Sequence, residues 1–445
     1  MRVGLAMEDI MKTPILAIRV WLLILTTVVL AACGGGGGGG GSTPPAGTAP
    51  VISNLTIAPS AAYVSDTPQR FSTQFDFADP EGNLASLTFR ILDGTGTTVD
   101  LQTLPIEGVE GLTTGTILGE VMASAVDPDT YMAQIYVADA SGLQSNTLTG
   151  SARIVAYPWT SKLADPVPRE YAASAVLNGK VYVMGGQRTD SGVIPGPATN
   201  LVEVYDPATN SWSAATPMPT ARMGLVAAVV NGKIYAIGGR TDGFSISAVG
   251  TVEVFDPATK LWTIGNPMPS PRYFAAAAVV GGEIHVAGGE FEVNVLPTVE
   301  AYNPLTSQWR NRTAMPTARG QLAMAEANGR LYAVGGYAGL ISRWVGTVEE
   351  YNPLTDSWAS RAPMPTGRAH LALTQIDGKL LAAGGENIYR SLDLLESYDP
   401  ATNVWFTKTP SSTAFTRATG TPVGGEMLVF GNGLSLVYDP ANEIR

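Results

Sequence analysis

From about residue 154 onward, hydrophobic and polar positions alternate in short runs, the period expected of half-buried strands. One stretch illustrates the order. Met218-Pro219-Thr220-Ala221-Arg222 leads into an apolar run, Met223 to Val230, that predicts a first strand. Lys233 to Ile237 predicts a second, and Gly238-Gly239 ends it where the backbone must bend and approach a neighbour without a Cβ in the way. After a variable segment, Thr251 to Phe255 predicts a third strand. Asp256-Pro257-Ala258-Thr259 reads as a turn, in which Pro presets φ and the Asp carboxylate accepts a local backbone N–H. A fourth strand carries Trp262, seven residues beyond Phe255.

This cassette is written six times. The first Gly of each pair falls at 185, 238, 288, 335 and 384, with Gly431-Asn432 as a degenerate sixth, and Trp159, Trp212, Trp262, Trp309, Trp358 and Trp405 repeat the same intervals of 53, 50, 47, 49 and 47 residues. A sheet of four short strands cannot bury both faces alone, so the copies must pack on one another. In the last copy Tyr438 predicts a Trp at position 445, where Arg445 stands; the missing Trp is Trp159, at the other end of the repeat. Roughly Arg153 to Ser161 is therefore expected to supply the last sheet's fourth strand and close a ring, leaving no open edge.

The spacing and the Gly-Gly, Asp-Pro and Trp positions resemble the kelch family over nearly 290 residues. The resemblance implies an all-β protein with a six-bladed kelch β-propeller over residues 154–445. Residues 51–153 differ in texture. Alternating stretches such as Arg70 to Phe77 and Tyr131 to Val137, separated by Gly, Pro and Asp turns, predict a β-sandwich, and Val137 to Leu143 resembles the late strand and turn of bacterial Ig-like modules.

The first residues predict export. Lys12 and Arg19 precede an apolar run, Val20 to Val29, which is short for a bilayer span of ~20 residues. Leu30-Ala31-Ala32-Cys33 then resembles the lipobox of bacterial lipoproteins. Residues 1–33 are accordingly read as a lipoprotein signal peptide, with Cys33 as the lipidated residue. Cys33 is the only cysteine, which excludes internal disulfides. Residues 34–50, eight glycines and a Pro-containing end, form a tether spanning ~20–25 Å if random. The expected location is the bacterial cell envelope, lipid-anchored in the outer membrane.

Charge and chemistry narrow the function. With 27 Lys and Arg against 38 Asp and Glu and no basic cluster, nucleic acid is not an expected partner. Copper oxidases resembling galactose oxidase need a Tyr–Cys cross-link and two His ligands. Here the lone Cys lies in the lipobox, and His285 stands where other copies have Tyr182, Tyr235 and Tyr332, so it reads as a packed strand residue. The bacterial kelch sialate mutarotases are also six-bladed and exported. That resemblance leaves a sugar isomerase as the alternative to a non-enzymatic module, and an architectural envelope role as a third reading. Asp79, Glu81, Asp127 and Asp129 offer carboxylates for calcium, but without the spacing of a known calcium loop; they read as solvated turns, and no cofactor is expected.

What the cassette does not repeat is the better guide to binding. Directly after the Gly pairs stand Gln187, Arg240, Glu290, Tyr337, Glu386 and Gly433. Two residues beyond the repeated Arg169, Arg222, Arg272, Arg319, Arg368 and Arg417 stand Tyr171, Gly224, Phe274, Gln321, His370 and Thr419. By resemblance to kelch adaptor propellers, the two sets flank a mouth that holds protein or glycan. Trp344, beside Arg343 and near Tyr337, is the one Trp of the repeat region outside the repeated position, suited to stacking on a ligand or to covering its own loop. The repeated Arg reads as structural. The expected binding set is Gln187, Arg240, Glu290, Tyr337, Arg343, Trp344, His370 and Glu386.

Overall fold

The computed structural model describes residues 19–21, 47–125, 128–190, 196–242, 248–339 and 343–444. Among these, strands make up nearly all the regular structure, with a 3-10 turn at Pro440–Asn442, and no helix is long and apolar enough to cross a membrane. Cys33, Asp127 and most of the predicted signal and tether lie outside the described residues. The chain divides into two compact units, one up to Tyr157 with residues from Asn442 onward, the other Pro158–Ala441.

In the first unit, Val51–Ala58, Ser65–Ala78 and Thr114–Ala125 form one antiparallel sheet, with Arg19–Trp21 on its edge. Leu84–Leu92, Thr98–Pro105, Asp129–Asp139 and Leu148–Val155 form the other, joined by Ala61–Tyr63, which runs parallel to Leu148–Val155. Alternate residues Phe71, Phe75 and Phe77 from one sheet and Leu87, Phe89, Ile135 and Val137 from the other share one core. The unit extends four residues past the boundary expected at 153, because Leu148–Val155 is bonded into this second sheet. Of the carboxylates considered for calcium, Asp79 is buried and accepts the Asn83 N–H at 2.8 Å, Glu81 accepts the Gly47 N–H at 2.6 Å, and Asp129 accepts the Gly94 N–H at 2.9 Å. Among the described residues no three His, Cys, Asp or Glu side chains are grouped to hold a metal ion.

The second unit contains six four-stranded antiparallel sheets. The first runs through Ala173–Leu177, Lys180–Met184, Val202–Asp206 and Ser211–Ala214, and the next four repeat this up-and-down order. The first strand of the cassette is shorter than the sequence suggests, Val226–Val230, because Gly224 takes a left-handed φ of 62° and Met223 bridges to Arg240 instead. In the sixth sheet, Thr419–Val423, Glu426–Gly431 and Leu434–Tyr438 are completed by Trp159–Ser161, with Trp159 opposite Tyr438 as Trp212 is opposite Tyr205. Only these three residues of the expected 153–161 segment form that strand. The first strand of each sheet neighbours that of the next, and the sixth returns to the first.

Two repeated contacts tie each sheet to its neighbour, and an ion pair recurs inside five of the repeats. The Trp indole donates back to the preceding connection: Trp262 Nε1 to the Thr216 carbonyl and Trp159 Nε1 to the Thr409 carbonyl, both at 2.9 Å. The glycine pair lies against the next repeat: at Gly238 (φ 68°) a Cβ would stand 2.8 Å from the Arg272 carbonyl oxygen, and Gly239 donates its N–H to that same oxygen at 2.9 Å. Arg272 in turn reaches forward to the Gly288 carbonyl, at 3.1 Å, and pairs with Glu300. The same buried pair recurs as Arg169–Glu203, Arg222–Glu253, Arg319–Glu349 and Arg368–Glu396.

Arg417 does not continue this series, contrary to the sequence alignment of the repeats. Gly385 donates to the Phe415 carbonyl as Gly336 donates to that of Arg368, so Phe415 holds the structural position. The strand register places Leu436, opposite Val429, where Glu203 lies opposite Val183. An apolar pair thus replaces the ion pair in the sixth sheet, and Arg417 is released toward the axis.

Candidate functional site

The residue that precedes each first strand closes a circuit. Gly224 donates its N–H to the Tyr171 carbonyl, Phe274 to Gly224, Gln321 to Phe274, His370 to Gln321, Arg417 to His370, and Tyr171 to Arg417, over 2.8–3.2 Å. All six adopt left-handed φ between 50° and 62°. Only the second repeat uses glycine there; the other five hold larger side chains in a conformation that ordinarily disfavours them. The circuit satisfies the backbone groups, while side chains at sequence-remote positions are brought to one axis. Thr419, which counting from Arg417 had assigned to this set, lies instead in a strand.

The aromatic rings of alternate repeats meet there. Tyr171 and Phe274 have centroids 4.8 Å apart, and His370 lies 5.1 Å from each. Around them Gln321, Arg417 and the apolar Leu225, Leu322 and Leu371 line a pocket of 110 Å³. Arg417 also walls a second pocket of 220 Å³ with Glu170, Glu386, Ser391 and Asn432. Its guanidinium bonds Glu170 at 3.1 Å, approaches Glu386 at 3.4 Å and lies over the Tyr171 ring at 5.3 Å. His370 Nδ1 and Glu386 are 3.0 Å apart. On the other side, Arg240 stacks over Tyr273 and Phe274 at 5.0 and 5.5 Å, and Glu290 accepts a bond from Gln321 at 2.7 Å.

Burial sets the electrostatics. It pushes the Tyr171 phenol and the Glu290 carboxyl up from their ordinary values. Burial also raises the Glu386 carboxyl, but His370 and Arg417 together outweigh it, and the net shift is downward. The mouth therefore holds two carboxyls shifted in opposite directions, Glu386 toward its charged form and Glu290 toward its neutral form. It also holds unspent hydrogen-bonding capacity: among the described residues Arg240 Nε, Arg417 Nε and His370 Nε2 are buried without a partner.

Of the expected binding set, Arg240, Glu290, His370 and Glu386 are gathered at this mouth. Gln187 is buried, its backbone paired with Glu170. Tyr337 and Trp344 pack edge to face at 5.8 Å within their own loop, with Arg343 exposed beside them and Trp344 Nε1 buried without a partner among the described residues. Arg417, Tyr171, Phe274 and Glu170 were missing from the expected set. Tyr171 and Phe274 were marked by their position two residues beyond the repeated Arg; Arg417 was disguised as the repeated Arg itself.

Comparison with known proteins agrees with this architecture. Residues 127–289 match the KLHDC2/KLHL20/DRC7 kelch-repeats domain, and residues 271–316, 318–365 and 367–410 each match the kelch motif. An F-box/kelch-repeat protein of Arabidopsis thaliana is 38% identical over 104 residues, 22% of this chain and 26% of the relative. Kelch repeat and BTB domain-containing protein 12 of Danio rerio is 36% identical over 87 residues, 18% of this chain and 14% of the relative. The matches thus span about a quarter or less of these relatives' own length. The solved structure of YjhT aligns with 64% of this chain and 95% of its own, at 19% identity and a TM-score of 0.48. The repeats of this chain are kelch repeats, in a β-propeller-like all-β fold.

Proposed function

We propose that this chain is a cell-envelope lipoprotein whose six-bladed kelch propeller binds protein or glycan at the mouth around the Tyr171–Arg417 circuit. The observation that carries this reading is the cluster of buried Arg240 Nε, Arg417 Nε and His370 Nε2, without partners among the described residues, set among aromatic rings and the carboxyls of Glu170, Glu290 and Glu386. Buried donors normally find acceptors within the protein. A cluster that does not, at an opening lined by aromatics, suits a ligand with acceptor groups and a flat apolar face. Kelch-repeat domains generally act as protein-interaction modules, which favours a protein partner.

Six sheets, the head-to-tail circuit and Trp159 in the last sheet support the six-bladed reading. The shared core of two sheets and the Asp139 turn, whose carboxylate accepts the Ser141 and Leu143 N–H groups, support an Ig-like spacer. The anchor at Cys33 rests on the lipobox alone.

The full-length protein, extracted in detergent, is tested against a glycan array and purified envelope proteins, with mass spectrometry of its N-terminus reading the lipid on Cys33. Binding is expected to fall about tenfold or more in Arg240→Ala and Glu386→Gln at unchanged melting temperature. Binding indifferent to both substitutions overturns the assignment of the mouth. Conversion of a free sugar, lost in Glu386→Gln, would assign catalysis there instead.

A further inference from the structure

The third sheet departs from the repeat in a second place, away from the mouth. Its second strand carries His285 where the others have Tyr182, Tyr235, Tyr332, Leu381 and Leu428, and opposite His285 stands Ala301, where the first, second and fourth sheets have Val204, Val254 and Glu350. Ala301 is paired in turn with Arg310 of the outer strand. The His285 ring packs against Tyr351 of the next sheet, with centroids 5.7 Å apart. Between the third and fourth sheets, at the strand ends opposite the circuit, a cleft of 690 Å³ opens.

Its lining is cationic. Arg310, Arg312 and Arg330 face it with Glu283 and His285. Arg310 and Arg312 both bond the same oxygen of Glu283, which leaves most of their N–H groups unspent. Arg330 reaches the Asn352 side chain at 2.8 Å and pairs with Glu350 at 3.5 Å, so its charge is partly met from outside the cleft. Three guanidiniums against one lining carboxylate is an unusual local balance in a chain of net charge −11.

Two of these groups are also orphaned. Among the described residues Arg312 Nε is buried without a hydrogen-bond partner, and His285, 1% exposed, makes no well-formed hydrogen bond at either ring nitrogen, its nearest polar neighbour being the Glu283 backbone. Burial, reinforced by Arg312, pulls the imidazole down from its ordinary value, so the ring is held neutral, able to donate at one nitrogen and accept at the other. Buried polar groups left unpaired beside a roomy opening mark a place where a ligand completes the hydrogen bonding.

We propose that this cleft is a second binding site, which takes a small polar molecule through an anionic group, carboxylate or phosphate, held by Arg310, Arg312 and Arg330 with His285 as a further hydrogen-bonding partner. Guanidinium forks suit both anions. The proposal is independent of ligand binding at the mouth.

The chain contains two histidines, one at each site, so each reports on its own. The full-length protein, labelled with 15N-histidine, is titrated with inorganic phosphate, with D-glucuronate, and with sodium chloride at matched ionic strength. The expected result is a saturable shift of the His285 ring resonances with phosphate or glucuronate but not chloride, with His370 unmoved; the tighter of the two probes identifies the anion class. Arg310→Gln, at a half-exposed position, is expected to weaken that response about tenfold. Arg330→Gln serves as a second, independent variant. A His285 signal that moves with neither anion, moves equally with chloride, or responds unchanged in both variants overturns the proposal. Responses confined to His370 would leave the mouth standing and remove this site.

Discussion

Five of the six sheets bury an Arg–Glu pair between the glycine turn and the third strand, and the sixth buries Phe415 and Leu436 at the same positions. Neighbouring repeats are thus joined in two chemistries on one backbone plan. The comparison teaches that the ion pair is not what makes the plan possible. Taking a guanidinium and a carboxylate out of water is unfavourable, and their mutual attraction and the carbonyl bonds to Arg roughly offset that. What the backbone requires is that the two positions match. The sixth sheet has changed both, which frees its Arg417 for the mouth.

Breaking one half of the match should produce the largest effect. Arg222→Ala would strand Glu253, 1% exposed, and is expected to lower unfolding free energy by about 3–5 kcal/mol, read from urea unfolding. The double substitution Arg222→Phe with Glu253→Leu copies the sixth sheet and should restore most of that loss, leaving about 1–2 kcal/mol of imperfect packing. A double variant as unstable as the single one would show that the sixth sheet depends on compensations elsewhere.

Glu290 sharpens the comparison from the mouth. It is a half-buried carboxyl bonded to Gln321 rather than to a guanidinium, and burial raises its folded pKa. A raised carboxyl favours the folded state in its protonated form. Its contribution is therefore fully present below the unfolded value, about 4.3, and is lost as pH rises through the folded pKa. The stability of the native chain relative to Glu290→Gln should accordingly decline over that window and level off above it. The difference is expected to be small, about 1 kcal/mol or less, and thermal melts of both proteins across pH 4 to 8 measure it. A flat difference would mean that Glu290 is solvated like an ordinary surface carboxyl.

Much of this was legible in the sequence because its causes are local. Alternation gives strands, a positive-φ turn needs glycine, and an aromatic seven residues before a Trp marks the third and fourth strands wherever the pair occurs. Even Trp159 could be assigned to the last sheet, since only one copy lacked its Trp. Counting failed at Arg417, where a residue of the right type stood at nearly the right spacing; at Trp344 the sequence left two roles open, and the ring packs on Tyr337 in its own loop.

The sequence by itself determined the repeated strands, the glycine turns and the chemistry from which a site could be built. The tertiary structure decided which of those groups meet. Arg417 bonds Glu170 across 247 residues of chain, and Tyr171, Phe274 and His370 touch although each lies in a different repeat. The cleft beside His285 is likewise lined from both the third and the fourth sheets. The physical reason is the same in each case: strand propensity and turn geometry act over a few residues, whereas these contacts exist only once the repeats have packed around a common axis.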